Sequence, residues 1–223
     1  MALSRLNYNS LNVTPTASKG IGFDSGADDL SIDFAGGSIT FIKKLTSDGS
    51  DDDLSFVDGT PDVVLDSTYK EYMFIFNNIH PETDSTHLQF QANAAGGSGY
   101  NETMTTTHFR AINNEAGTDA YLHYHNDPAE LDQAQGTAFQ IIASYLGSDT
   151  DHASSGILHL YNPSSTTFVK HFMCEATISN PNDYEQHNYV AGYFNTTSAI
   201  DEIQFKMSAD EIQGGTITLY GIN

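Results

Sequence analysis

The sequence contains no tryptophan, a single cysteine and only eight lysine and arginine residues. The single cysteine, Cys174, excludes an intrachain disulfide, so the chain is not a disulfide-stapled secreted scaffold. The segment around it, Phe172 to Ala176, is typical of a strand, which predicts a buried and unreactive thiol. No run of about 20 apolar residues occurs, so we expect no transmembrane helix and no membrane insertion.

The shortage of basic residues limits which class of macromolecule the chain can bind. Against eight basic residues stand 29 acidic ones, which gives a formal net charge of -21. Nucleic acids bind proteins largely through lysine and arginine contacts to phosphate, so this balance excludes a nucleic-acid partner. Two interpretations of the acidity stay open: general solubility, and adaptation to a salty medium that screens the like charges.

The first residues, Met1 to Arg5, include no apolar segment of the kind found in secretion signals. We therefore expect no signal peptide. A protein that acts outside cells without one must leave by another route, and release within an assembled virus particle is such a route.

Aromatic residues and period-two alternation are what the sequence does have. Its 13 phenylalanines and 12 tyrosines can bury a large core. Apolar residues alternate with polar ones in short runs separated by Gly, Asn, Asp and Pro, a pattern that predicts about ten strands. The runs are Ser38–Phe41, Tyr69–Ile79, His87–Gln91, Met104–Ile112, Ile157–Tyr161, Phe168–Ile178, Tyr189–Tyr193, Ile203–Met207 and Thr216–Tyr220.

These runs predict an all-β fold, a jelly-roll-like sandwich in one domain over residues 31–223. Tyr69–Ile79 is apolar on both faces, so we expect a central strand between two layers. One short helical insertion is predicted over Pro128–Gln135, with Asp127 as its N-cap. Residues 1–30 lack any period and predict an extended N-terminal arm that docks onto a neighbouring subunit.

His123 and His125 form the strongest metal candidate. Two residues apart on a strand, both imidazoles point to one face and could chelate a metal ion. With Gly117 before them and Glu130 and Gly136 after them, they resemble the first motif of the cupins, which implies a metal-dependent enzyme on a jelly roll. The second cupin motif is missing. The alternative is that both histidines face solvent or a subunit contact.

Acidic loops give a second metal candidate. Asp48, Asp51 and Asp53 lie in an oxygen-rich segment, and Ca²⁺ takes six to eight oxygen ligands. The spacing does not fit an EF-hand. A solvated acidic loop is the alternative, so structural calcium is the one cofactor to consider, and we otherwise expect none.

Catalytic signatures are weak in this sequence. It contains no Gly-x-Ser-x-Gly elbow and no phosphate-binding loop, and no spacing singles out a catalytic triad. We therefore expect a non-enzymatic protein. Tyrosine and asparagine in predicted loops, at Tyr100, Asn101, Tyr184 and Asn188, would suit binding of a host-surface glycan, although the absence of tryptophan counts against a lectin.

Three segments together carry a family resemblance. They are Leu11–Ala17, Tyr69–Pro81 and Gly214–Ile222, the last preceded by Ile203–Ser208. The chain resembles, over nearly its whole length, uncharacterised virion structural proteins of marine tailed phages, particularly cyanophages. The resemblance implies a particle component located in the virion, assembled in the host cytoplasm and in contact with other virion proteins. It brings no catalytic residues.

Within that resemblance several functions stay open. The favoured one is a tail, fibre or surface-appendage protein, a homo-oligomer and in particular a trimer, with host-glycan binding as a further role. The alternatives are a capsid decoration protein, a cupin-like metal-dependent enzyme and a soluble carbohydrate-binding module.

The net charge generates the first prediction. Between about 0.01 and 0.5 M NaCl the melting temperature should rise, because added salt screens repulsion among the carboxylates. Differential scanning calorimetry across the salt series measures this. A flat or falling melting temperature would mean that the carboxylates are already paired or bound to metal.

Overall fold

The structure is a computed structural model that describes residues 22–23, 30–31, 38–124 and 131–223. The chain divides into two units, Met1–Ser38 and Ile39–Asn223. In the first unit the described residues are two short paired strands, β1 (Gly22–Phe23) and β2 (Leu30–Ser31). The rest of the predicted arm over residues 1–30 lies outside the described residues.

The second unit is built from strands. In chain order these are β3 (Ile39–Thr46), β4 (Asp53–Val57), β5 (Glu71–Pro81), β6 (Thr86–Ala94), β7 (Met104–Asn114), β8 (Ala120–Tyr124), β9 (Ala134–Gly136), β10 (Gln140–Leu146), β11 (Ser154–Tyr161), β12 (Lys170–Asn180), β13 (Tyr184–Phe194), β14 (Ile200–Met207) and β15 (Ile212–Ile222).

These strands form two antiparallel sheets. The smaller sheet has the order β10-β6-β14-β4, and the larger, nine-stranded sheet has the order β3-β15-β5-β11-β12-β13-β7-β8, with β9 also paired to β7. The consecutive pairs β3/β4, β5/β6, β10/β11 and β14/β15 each place one strand in either sheet. This is the order of two four-stranded sheets in a jelly roll, so the predicted jelly-roll sandwich is confirmed.

Two insertions enlarge one sheet of the jelly roll. Strands β7 to β9 lie between β6 and β10 in sequence, and β12 and β13 lie between β11 and β14. All five join the larger sheet beyond β11. The larger sheet is therefore about twice as wide as the smaller one that packs against it.

Aromatic side chains hold the two sheets together. From the smaller sheet, Phe90 packs edge-to-face on Phe172 of the larger sheet, with ring centroids 5.0 Å apart. It also packs on Phe194, with centroids 5.9 Å apart. Phe205 of β14 packs on Phe74 of β5, with ring centroids 5.4 Å apart. All five rings are buried, and edge-to-face contacts of this kind add to the hydrophobic burial.

Gly156 on β11 makes room for this core. A Cβ at Gly156 would come within 2.6 Å of the Phe76 ring, which is closer than carbon atoms can approach. The glycine therefore lets a buried phenylalanine of β5 lie directly against the backbone of its neighbouring strand.

The predicted helix over Pro128–Gln135 is wrong for the part that the structure describes. Gln135 has a φ of 54°, outside the helical region, and Ala134–Gly136 is a strand paired with β7. The backbone of Gln133 accepts a hydrogen bond from Thr106 N at 2.9 Å and donates one to Thr106 Oγ1 at 2.8 Å. Backbone groups that a helix would pair internally are thus paired with a neighbouring strand.

The other expectations have mixed outcomes. Every predicted strand is present, and the strand assumed at His123 is β8, but the sequence pattern missed β1, β2, β4, β9 and β10. Cys174 is buried, as expected, and burial raises the pKa of its thiol. Tyr69–Ile79 corresponds to the central strand β5, and its consecutive residues Tyr72, Met73 and Phe74 are all buried, so both faces of the strand are shielded there. Across the residues that the structure describes, no helix has the length and hydropathy to cross a bilayer.

The aromatic contacts between the sheets generate the second prediction. Phe90→Ala should lower the free energy of unfolding by about 3–5 kcal/mol, because it removes buried ring contacts and leaves a cavity. Urea titration followed by circular dichroism measures the change. The matched control is Phe168→Ala, whose ring is 69% exposed and should cost no more than about 0.5 kcal/mol. Equal losses in the two variants would contradict this account of the core.

Candidate binding surface

The broad candidate surface is the side of the nine-stranded sheet that faces away from the smaller sheet, here called the outer face. Strand β12 shows how it arises. Its residues alternate strictly between buried and exposed, so Phe172 and Cys174 point into the core while Met173 and Glu175 point outward. Because neighbouring strands are in register, the outward side chains line up in rows across the sheet.

Four such rows define the outer face. Strand pairing aligns Phe41, Tyr220, Met73, His159, Met173, Ala191 and Thr107 in one row, and Lys44, Thr218, Ile75, Ile157, Glu175, Tyr189, Phe109 and Tyr124 in the next. The flanking rows are Ser155, Thr177, His187, Ala111 and Leu122 on one side, and Ile39, Ile222, Glu71 and Tyr161 with His171, Tyr193 and Thr105 on the other.

The outer face is unusually apolar for a solvent-facing sheet. Eight large apolar side chains are exposed among the described residues, and six of them lie in the four rows, namely Ile39, Phe41, Leu122, Tyr124, Ile157 and Met173. Leu122 is 70% exposed, Phe41 60% and Met173 51%. The four-stranded sheet carries none of the eight. Contiguous exposed apolar surface of this kind marks a contact site.

Two adjoining depressions lie on this face. One, of about 380 Å³, is lined by residues of β11, β12 and β13, including Ile157, His159 and Glu175. The other, of about 420 Å³, continues across β12 and β13 to β7 and includes Tyr193 and Thr105. Tyr161 and Met173 line both, so the two depressions form one shallow trough across the middle of the sheet.

The aromatic rings of the outer face stack on one another. Tyr189 stacks on Phe109 with centroids 4.7 Å apart and on His187 with centroids 4.3 Å apart, with interplanar angles of 10° and 9°. His159 and Tyr161 are also nearly parallel. Ring faces are therefore occupied by other rings, and ring edges and polar tips point outward.

Few acidic groups reach the outer face. Of the chain's 29 acidic residues, the four rows contain two, Glu71 and Glu175. Each lies beside a histidine: His159 Nδ1 is in hydrogen-bond contact with Glu71 Oε1, and His187 Nε2 lies 3.9 Å from Glu175 Oε2. Glu185 lies on the same side of β13, one row beyond these four, so the four rows carry few of the carboxylates that the structure describes.

The predicted metal ligands are only partly within the described residues. His123 lies on β8 opposite Arg110, with its ring 6.0 Å from that of Tyr121. His125 and Glu130 lie outside the described residues. In the part of the chain that the structure describes, no group of three or more His, Cys, Asp or Glu side chains is placed to hold a metal ion.

The acidic loop predicted to bind calcium is closed by its own hydrogen bonds. Asp48 Oδ1 accepts from Ser50 N at 3.0 Å, and Asp51 Oδ2 accepts from Asp48 N at 2.8 Å. Asp53 Oδ1 accepts from Ser55 Oγ at 2.6 Å. The three carboxylates therefore act as local turn and strand acceptors.

The predicted glycan-binding residues do not form one site. Tyr100 and Asn101 precede β7, whereas Tyr184 pairs with Asn114 at the far end of that strand, about 33 Å away along the backbone. Asn188 is not in an exposed loop. It is buried within β13, where its amide donates to Ser144 Oγ at 2.9 Å.

A buried polar cluster is the feature that sequence reasoning missed. Beneath β7 and β13, Arg110 donates to Gln186 Oε1 at 3.2 Å and to Ser144 Oγ at 3.4 Å. Nearby, Thr106 donates to Gln140 Oε1 at 2.7 Å, and Gln140 donates to Leu131 O at 2.7 Å. These bonds join the inserted strands to β10 where the aromatic core ends, which is a structural role.

His108 belongs to this cluster and is almost fully buried. Desolvation by burial lowers its pKa to about 4, against a smaller opposing effect of its hydrogen bond to Leu131 O. Among the neighbouring charged groups, Arg110 lowers the pKa and Asp132 raises it. His108 is therefore neutral at physiological pH and donates from Nδ1 to the carbonyl.

Comparison of the chain with protein-family models, with curated proteins and with solved structures gave no match.

The burial of His108 generates the third prediction. The folded chain holds this imidazole neutral down to about pH 4, whereas the unfolded chain protonates it near pH 6.5. Stability from this group is thus fully present above about pH 6.5 and declines as the pH falls toward 4. At low pH the free energy of unfolding should fall by about 3 kcal/mol more in wild type than in His108→Gln.

Urea titrations of both proteins at about pH 7.5, 5.5 and 3.5 measure the difference, because these values bracket the two pKa values. Glutamine preserves a donor for Leu131 O and carries no titration in this range. If the two proteins lose stability in parallel as the pH falls, the imidazole is not held neutral by burial.

Proposed function

We propose that this chain is a non-enzymatic structural component of a phage virion, in the tail or a fibre, and that the outer face is its contact surface. The observation that carries the proposal is the exposed, apolar outer face of the nine-stranded sheet in a chain that is otherwise strongly acidic. An exposed apolar surface of that kind typically binds another macromolecule.

The fold is compatible with this role. Jelly rolls are used in capsid and lectin domains as well as in cupins, and a fold by itself does not specify a function. What favours the structural role is the site. The outer face offers apolar side chains, stacked rings and little charge, which suits protein contact better than bond-breaking chemistry.

Carbohydrate binding is the second candidate, and the trough on the outer face favours it. Tyr161, His159 and Glu175 line the trough and offer hydroxyl, imidazole and carboxylate groups above an apolar floor that includes Ile157 and Met173. A concave site with a few polar groups over apolar side chains is typical of small-ligand binding. This candidate would make the chain a host-surface adhesin.

The fourth prediction concerns the particle. Quantitative mass spectrometry of gradient-purified particles from the phage that encodes the chain should detect it as a stoichiometric component. A tail-tip or fibre protein should be present at a few to a few tens of copies, roughly as the symmetry of such appendages requires. Hundreds of copies would favour capsid decoration or a tail tube.

Two outcomes would contradict the proposal. Absence from purified particles would remove the virion role. Stoichiometric zinc, iron or manganese in the purified full-length chain, lost when His123 and His125 are both replaced by alanine, would favour the cupin-like enzyme instead.

A further inference from the structure

We propose that the outer face of the nine-stranded sheet binds the outer face of a second copy of this chain, so that the two large sheets pack face to face. The inference rests on the structural role proposed above and names the partner of that surface. It is argued from the size of the face, its shape, its charge and the arrangement of its rings.

The size of the face matches a stable protein interface. Eight strands about 4.8 Å apart, with four rows of outward side chains about 6.6 Å apart, give an area of roughly 35 by 25 Å, or about 900 Å². A standard protein interface buries about 800 Å² on each partner. A short oligosaccharide in the trough would leave most of this apolar surface exposed to water.

The twist of a second copy is compatible with face-to-face packing. Every β-sheet has the same hand of twist, and two sheets of like twist pack face to face with their strands about 30° apart. The nine-stranded sheet already packs face to face with the smaller sheet on its inner side. A second copy presents a sheet of identical twist and extent.

Charge singles out this face for self-association. The four rows contain one basic residue, Lys44, and two acidic residues, Glu71 and Glu175, so the face has a formal charge of -1. The whole chain has a formal charge of -21. Two copies that meet through this face keep most of their carboxylates apart, and salt screens the remaining repulsion.

The stacked rings favour a protein partner over a sugar. A sugar ring packs on an open aromatic face, but the ring of Tyr189 is stacked against both Phe109 and His187. Ring edges and methionine, such as Met173 at the centre of the trough, pack readily against side chains of another protein.

The fifth prediction tests the surface directly. Light scattering coupled to size-exclusion chromatography should give wild type a mass of twice 24.3 kDa, with association strengthened between about 0.05 and 0.5 M NaCl. Ile157→Glu and Met173→Glu should each shift the mass to that of the monomer, because each puts a new carboxylate at the middle of both faces. Both side chains are exposed, at 36% and 51%, so the monomer should remain folded.

The matched control is Phe168→Glu, which introduces the same charge at an exposed apolar residue that lies before β12 rather than in the four rows. It should associate like wild type. Circular dichroism melting of all three variants establishes that they are folded. A monomeric wild type at every salt concentration overturns the proposal, as does unchanged association of folded Ile157→Glu and Met173→Glu.

A second measurement needs no substitution. The rate of Met173 oxidation by hydrogen peroxide, read by peptide mass spectrometry, should fall as wild-type concentration and association rise. Rapid oxidation in the associated protein overturns the proposal. A monomer in which Met173 is slow to oxidise also overturns it, because another part of the same chain would then cover the face.

The outcomes separate this inference from the proposed function. If the chain is found in particles but is monomeric in solution, the second-copy interface is contradicted and the virion role is not. A chain absent from particles that associates through this face does the reverse. Glycan-array binding that is lost in Met173→Glu at constant monomer mass would assign the face to a carbohydrate and overturn the second-copy interface.

Discussion

The structure depends on the aromatic contact between its two sheets. Phe90 of β6 packs on Phe172 and Phe194, which belong to strands of the other sheet, and Phe205 packs on Phe74 in the same layer. Burial of rings from both sheets in one layer stabilises the sandwich and fixes which side of each strand points inward. Since side chains alternate along a strand, the same contact fixes which residues must point outward.

The unequal width of the two sheets has two consequences. Beyond the reach of the aromatic layer, the inner side of β7 and β13 is filled by hydrogen-bonded polar groups such as Arg110, Gln186 and Asn188. On the opposite side, the inserted strands widen the outer face until it is as large as a protein interface. The insertions therefore need a buried polar cluster on their inner side. They also create the candidate binding surface on their outer side.

The acidity of the chain and its apolar outer face complement each other. A net charge of -21 keeps copies apart through every surface that carries carboxylates, and the four rows of the outer face hold only two of the 29 acidic residues. The proposed association through this face would be directional without any strong pairwise bond. It is favoured by the same salt that lessens repulsion elsewhere on the surface.

The sequence by itself determined the all-β class, the positions of the long strands, the burial of Cys174 and the excess of acidic charge, because period-two alternation and composition are local properties. It also revealed that β5 is apolar on both faces, and the consecutive residues Tyr72, Met73 and Phe74 of that strand are buried. Only the tertiary structure decided which face is covered, because sheet order joins residues as distant as Ile39 and Ile222. For the same reason Asn188, polar and unremarkable in the sequence, is buried, and the outer face came into view only when eight strands were aligned in register.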